Sequence, residues 1–454
     1  DVMLQGFYWD VPSPAAGQSG AEWWWDKVAR ESAAWRQAGF TSVWLPNPMK
    51  GHAGGYSMGY DPFDDYDLGS KDQQWTYTTR FGTREKLQRA CAYLRANGLN
   101  IILEQVHNHR NGDDGFYNFR YRNAYGQFGL GRFGKGPGDF HPNVPQCPNV
   151  FDSGESFALF GRDVAHVTGN GQWMWNGLIA STDWITKALD VQGYRLDYVK
   201  GISTDWLKAW LNSPAVQGKF SVGEFFDYDL GALQYWKGTM MQNRVAAFDF
   251  PLRGLLREMC LNPGGFDMRQ LDHGGLAGVD PYGAVTFVEN HDTDRHDPIS
   301  ARKMMAYAYI LTSEGYPKVF YRDYSDDPGC YGLKSHIDEL IWIRRKIAQG
   351  GTLERWKNEG ILVYERLGGS RLLVGLNNQS GGASITCQTG FPANTRLVDY
   401  TGNAPDVWTD GQSRVTLNLP GNGNGQGYVA YSVAGFSGGF DAPHTQTTQE
   451  HAGA

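Results

Sequence analysis

The sequence predicts an α/β protein built on a (β/α)8 barrel of the TIM type. A loop-rich domain is inserted after its third strand, and an antiparallel β-sandwich follows at the C-terminal end. Three observations carry the prediction. Short apolar runs alternate with amphipathic stretches as far as Gly350, the pattern of parallel strands covered by helices. One connection, after the third run, is far longer than the rest and rich in Gly, Asn, Phe and Pro. Beyond Gly350 the text changes to alternating strands joined by turns.

The barrel strands are expected at residues 2–9, 42–46, 100–107, 194–199, 220–225, 245–250, 284–288 and 318–321. Helical periodicity marks 24–37, 84–96, 205–211, 302–311 and 336–348 between them. Eight strand-to-helix units over this length suit a closed barrel, whose chemistry sits at the C-terminal strand ends. The barrel thus takes residues 1–109 and 172–350. Residues 110–171, including "NGDDGFYNFRYRNAYGQFGLGRFGKGPGDFHPN", form the insertion, because a structureless loop of that length needs its own reason. The segments "ILVYERL", "RLLVGLNN", "SITCQT", "TRLVDY", "RVTLNL" and "GYVAYSV" place the β-sandwich at 351–436. The polar, aperiodic residues 437–454 are expected to be a disordered tail.

Composition narrows the function. A formal charge of -7 leaves no basic surplus for nucleic acid. No apolar run reaches the roughly 18 residues of a membrane span. The five cysteines, Cys91, Cys147, Cys260, Cys330 and Cys387, are scattered without any CxxC pair, so a disulfide framework or cysteine-rich zinc module is not expected. The opening "DVMLQGFYWD" lacks an initiator Met, which suggests a secreted, processed protein. Nothing demands more than a monomer. With 16 Trp and 24 Tyr, rings are available to stack on sugars, although most fill cores. The "EWWWDKV" run, Trp23 to Trp25, reads either as a sugar platform or as the packed start of the first helix.

Three acids close three apolar runs: Asp197 in "GYRLDYVKG", Glu224 in "FSVGEFFD" and Asp292 in "AVTFVENHDT". In a barrel they converge on one rim. Arg195 lies two residues before Asp197 and therefore on the same strand face. His291 precedes Asp292, and His109 follows the third run. Two carboxyls about 5 Å apart are what retaining glycoside hydrolysis needs. One stays ionised, helped by a nearby Arg, while burial and negative neighbours raise the pKa of the other.

With "EQVHNH", "GYRLDYVKG", "VGEFF" and "FVENHD" in this order, the chain resembles the α-amylases of glycoside hydrolase family 13. "GGYSMGYDPFDDYDLG" and "ILTSEGYPKVFYRD" are most similar to the plant and archaeal type. The resemblance implies a retaining, endo-acting enzyme that hydrolyses α-1,4-glucan, starch or maltooligosaccharides. It makes Asp197 the nucleophile, Glu224 the general acid/base and Asp292 the transition-state stabiliser. Arg195, His109 and His291 are implied around the glucose at the cleavage point, Tyr60 stacked on it, and Lys200 on the leaving side.

The resemblance also implies a structural calcium ion held by Asn108, the backbone of Gly201, and the carboxylates Asp152 and Asp163, since calcium takes roughly six to eight oxygens. Zinc is not expected: some relatives bind it through two His and a Cys, whereas this chain offers His141, Gln146 and Ala165. Three positions depart from the family pattern. Glu104 and Glu289 stand where Asp is usual, and Phe226 where Trp is frequent. They leave open an α-glucan transglycosylase that forms longer or α-1,6-linked products. A non-catalytic glucan-binding protein would not need all three acids.

Overall fold

The computed structural model describes residues 1–113, 119–123, 125–141, 160–167 and 172–440. Eight strands form a closed barrel: β1 Met3–Gln5, β2 Ser42–Leu45, β3 Asn100–Gln105, β4 Gly193–Leu196, β5 Phe220–Gly223, β6 Ala246–Phe248, β7 Ala284–Phe287 and β8 Tyr316–Phe320. Every neighbouring pair is parallel, and β8 pairs with β1 through Met3 and Lys318. All of β2, β4 and β7 is buried, which is why these runs are mostly apolar on both faces, with Arg195 in β4 as the charged exception.

The surrounding helices include α1 Trp24–Ala38, α2 Arg84–Ala96, α3 Trp173–Leu189, α4 Thr204–Leu211, α5 Leu230–Gln234, α6 Phe250–Leu261, α7 Lys303–Thr312 and α8 Lys334–Lys346. Thr83 and Ser203 cap α2 and α4 by accepting from the backbone N–H of the third residue of each helix, Lys86 and Trp206. The Asp249 carboxylate caps α6 and also accepts from Leu276 and Ala277 N–H at 2.9 and 2.8 Å. That cap joins α6 to the segment leading into β7.

Two features differ from the sequence expectation. β1, β3, β4, β5 and β6 end at Gln5, Gln105, Leu196, Gly223 and Phe248 rather than at residues 9, 107, 199, 225 and 250. The apolar runs continue past the ladder because the loops at the strand ends are themselves buried. Helices α3, α5 and α6 are absent from the expectation. α6 is hidden because the apolar run of β6 flows straight into it, with Pro251 in its first turn. Of the "WWW" run, Trp24 and Trp25 are core and Trp23 is half-buried, and Trp24 Nε1 donates to the carbonyl of Gly6 at 2.9 Å.

The insertion leaves after β3. Among its described residues, His109–Arg110, Arg162–Val164 and Phe140–His141 form a three-stranded antiparallel sheet. A fully buried ion cluster ties it to the barrel. Arg110 Nη2 and Lys135 Nζ lie 2.6 and 2.7 Å from the two oxygens of Asp65 in the loop after β2. Burial alone would raise the Asp65 pKa, but the two cations outweigh it and hold the carboxyl well below its usual range.

At the C-terminal end a six-stranded antiparallel sheet, in which Ile361–Arg366, Leu372–Asn377 and Tyr428–Val433 are central, faces the pair Ala383–Gln388 and Arg414–Leu419. Arg414–Leu419 alternates exposed and buried residues and packs into a separate core with Val363, Leu373 and Tyr431. Residues 437–440, assigned to the tail, correct that boundary. Trp342 Nε1 donates to the Gly438 carbonyl at 2.8 Å, and the Phe440 ring lies under Arg345 at 4.6 Å. Phe440 reaches Gly39, where a Cβ would sit 2.6 Å from its ring. The aromatic residue gives this stretch something to bury. The rest of the assigned tail lies outside the described residues.

Candidate active site

The three acids meet at the C-terminal ends of the strands. Asp197 and Glu224 directly follow β4 and β5, while Asp292 comes five residues after β7, at the start of the short helix Thr293–His296. All three line one cleft of about 420 Å³ with Trp9, Tyr60, His109, Phe160, Tyr198, Lys200, Phe226, His291 and His296. That size suits a small-molecule site.

Arg195 does not line the cleft. It is fully buried beneath it and works on the acids. Its Nη1 donates to Asp197 Oδ1 at 2.6 Å and to Glu104 Oε1, and its Nη2 lies 2.6 Å from Glu224 Oε1. One cation thus faces three carboxylates, which cannot all remain ionised cheaply in a buried site. Burial pushes the pKa of both Glu104 and Glu224 up. The neighbours decide which of the two holds a proton. Glu104 accepts from Arg195, from Trp44 Nε1 at 2.8 Å and from the Tyr60 hydroxyl at 3.0 Å. Glu224 has, besides Arg195, the backbone N–H of Tyr198 at 3.2 Å, and while Asp197 raises both acids, Asp292 adds its negative potential to Glu224. Burial lifts both carboxyls to about 8, so it is the richer set of donors on Glu104 that assigns the proton to Glu224. The longer arm of Glu104 lets one carboxylate hold Arg195, Trp44 and Tyr60 together, which accounts for its presence where a shorter acid is usual.

Asp292 accepts from Trp9 Nε1 at 3.1 Å, and His291 Nε2 lies 3.2 Å from its other oxygen. Burial raises its pKa as well. The Tyr60 ring stacks on His291 with centroids 5.0 Å apart. Lys200 donates to Asp227 at 2.8 Å and lies over Phe225. Phe226 packs on Phe250 with centroids 4.3 Å apart.

Trp9, Phe160, Tyr198 and His296 line the cleft without belonging to the expected site. Tyr198 adopts φ +40, a conformation that costs a non-glycine residue about 1–3 kcal/mol. It is held there by its bond to Glu224, by the Val199 N–H donating to the Glu224 carbonyl at 3.2 Å, and by an edge contact with Phe160. Its place directly after a strand-end acid is the signal that marks it.

The candidate cation residues come together only in part. His109 Nε2 faces the Tyr60 carbonyl at 2.7 Å and must donate to it, so its Nδ1 accepts from Asn108 Nδ2 at 3.0 Å. This turns Asn108 Oδ1 the other way, buried and without a partner. It aims at Gly201, where a Cβ would sit 1.8 Å from that oxygen. An orphaned oxygen beside a glycine fits a cation that takes amide and carbonyl ligands. Asp163 is buried in the strand paired with His109, and one of its oxygens is 3.0 Å from His141 Nδ1. Asp152 and Gln146 lie outside the described residues, and Ala165 is buried. Among the described residues no group of three His, Cys, Asp or Glu could hold a metal.

No protein-family model matches the chain. It is similar to an α-amylase of Geobacillus stearothermophilus, at 30% identity over 93% of this chain and 84% of that protein. It is 29% identical to a glucan 1,4-α-maltohexaosidase of Bacillus sp. strain 707, over 93% of this chain and 90% of that one. A probable α-amylase 2 of Arabidopsis thaliana matches at 28%, over 84% and 89% of the two chains. Bacterial and plant members are thus similar to it to about the same degree. In fold it resembles the α-amylase of Geobacillus thermoleovorans, with TM-score 0.68 and 18% identity over 96% of this chain and 98% of that one. A γ-CGTase of Bacillus clarkii gives TM-score 0.71 and 20% identity, over 96% and 70% of the chains. With a relative at 30% identity matched along nearly its whole length, the chain belongs to the α-amylase family, glycoside hydrolase family 13.

Proposed function

We propose that the protein hydrolyses internal α-1,4-glucosidic bonds of starch and maltooligosaccharides with retention of configuration. The observation that carries the mechanism is the sharing of Arg195 between two unlike carboxyls. Asp197 holds a 2.6 Å bond to the guanidinium, while burial and the other acids keep Glu224 protonated. Glu224 protonates the leaving glucosyl oxygen as Asp197 attacks the anomeric carbon and forms a glucosyl ester. Glu224, now ionised, takes a proton from water, which opens the ester and releases the sugar. Asp292, steadied by Trp9 and His291, faces the positive charge that develops on the ring. Tyr60 and His291 supply a stacked wall for the glucose, and Lys200 with Phe226 and Tyr198 flanks the cleft.

We also propose a structural calcium ion between the insertion and the barrel. Asn108 Oδ1, the Gly201 backbone and Asp163 would hold it, and bound there it would supply positive charge that fixes the loops after β3 and β4. Hydrolysis rather than sugar transfer is the reading favoured by relatives named as α-amylases and glucan hydrolases. The test is reducing-end release from maltoheptaose. Glu224→Gln should lower it about 10²- to 10⁴-fold and Asp197→Asn at least as much, both with unchanged circular dichroism. Near-normal turnover by either variant refutes the assignment.

A further inference from the structure

A buried lysine behind the cleft takes no part in the steps above. Lys318 in β8 is fully buried. Its Nζ donates to Gln5 Oε1 at 2.9 Å and to the backbone carbonyl of Glu289. It also lies over the rings of Phe287, Phe320 and Trp44 at 5.0, 5.6 and 5.8 Å. Gln5 Nε2 is 3.0 Å from His291 Nδ1, and His291 Nε2 is 3.2 Å from Asp292 Oδ2.

The order of donors along this chain follows from the groups themselves. A side-chain amide accepts at one end and donates at the other. With Oε1 turned to Lys318, Nε2 must donate to His291 Nδ1. Burial and the nearby Arg195 drive the His291 pKa well below its ordinary value, so the ring is neutral and carries one N–H. That N–H is on Nε2. Burial also lowers the Lys318 ammonium pKa, but its two acceptors need only the two N–H groups that amine and ammonium both possess.

The geometry points to Lys318 as a positioning residue that acts through Gln5 to keep the His291 proton on the nitrogen facing Asp292. The opposite tautomer would set a ring lone pair against the Asp292 carboxylate, and would offer an acceptor where His291 now offers a donor. Gln5 and Lys318 are neighbours only because β1 and β8 close the barrel. The inference rests on the hydrolase reading for its kinetic consequence, but not for its structural one.

Nitrogen NMR of protein labelled at histidine tests it, with His291 assigned by the signal lost in His291→Gln. Wild type should show a bare Nδ1 and a protonated Nε2. In Lys318→Met the amide loses its director, so protonated Nδ1 should appear and kcat on maltoheptaose should fall about 10- to 100-fold with a smaller change in KM. Gln5→Glu keeps the shape but can only accept, so it too should place a proton on Nδ1. A lysine that only packs would lower Tm and leave the His291 signals and kcat unchanged, which overturns the proposal. Should Lys318→Met not fold, an unprotonated Nδ1 in Gln5→Glu overturns it equally. The tautomer readout needs no turnover, so an inactive wild type would sink the hydrolase reading while the NMR still decided this one.

Discussion

Arg195 sets the protonation pattern of the site. A single guanidinium beside three buried acids leaves one of them protonated, and the donor count around Glu104 assigns that proton to Glu224. The pH dependence follows. The reactive form has Glu224 protonated, so kcat/KM should fall as pH rises through its raised pKa. Asp292→Asn removes a negative neighbour and should move that alkaline limb to lower pH, read from the residual activity. A limb that stays put would show that Asp292 does not raise the Glu224 pKa. Stability has the same origin. The Glu224 pKa is higher in the folded than in the unfolded chain, so its contribution is complete below the ordinary carboxyl pKa of 4.5 and is lost as pH rises towards about 8. Glu224→Gln should therefore raise Tm at pH 8 by about 1–3 °C more than at pH 5, as calorimetry would show.

At the level of elements, the loops after β3 and β4 are held by two devices of different chemistry. One is the Asp65–Arg110–Lys135 cluster. Asp65→Ala leaves two buried cations unpaired and should cost about 3–5 kcal/mol, seen as a lower Tm and faster proteolysis of the insertion. The other is the proposed calcium. Excess chelator should lower the Tm of wild type, whereas Gly201→Ala, whose new methyl would enter the space before Asn108 Oδ1, should melt lower and respond little to chelator. A wild-type Tm indifferent to chelator contradicts the ion. Much of this scale is legible in the sequence. The helix over residues 84–96 and the strand starting at Ser42 fall where periodicity places them, because apolar spacing is a local property. The Asp65 cluster is not legible, since it joins residues 45 and 70 positions apart. Asp197, Glu224 and Asp292 are readable because each interrupts an apolar run at its end. Tyr198 and Trp9 are missed because an aromatic residue next to such a run looks like core.

Across the whole molecule, barrel closure brings the two ends of the catalytic domain together. β1 supplies Gln5, its trailing loop supplies Trp9, and both reach the residues after β7, some 280 positions away. No local pattern shows that meeting, and none shows that Arg195 lies buried beneath the acids, because its partners Glu104 and Glu224 come from β3 and the end of β5, the neighbouring strands. The central claim is that this rim cleaves α-1,4-glucan through a glucosyl enzyme and passes it to water. Anomeric proton NMR of maltoheptaose, followed from the first minutes of digestion, tests it most directly. Short maltooligosaccharides released first as α-anomers are the predicted result. Products that appear first as β-anomers, or that are longer than the substrate, would contradict it.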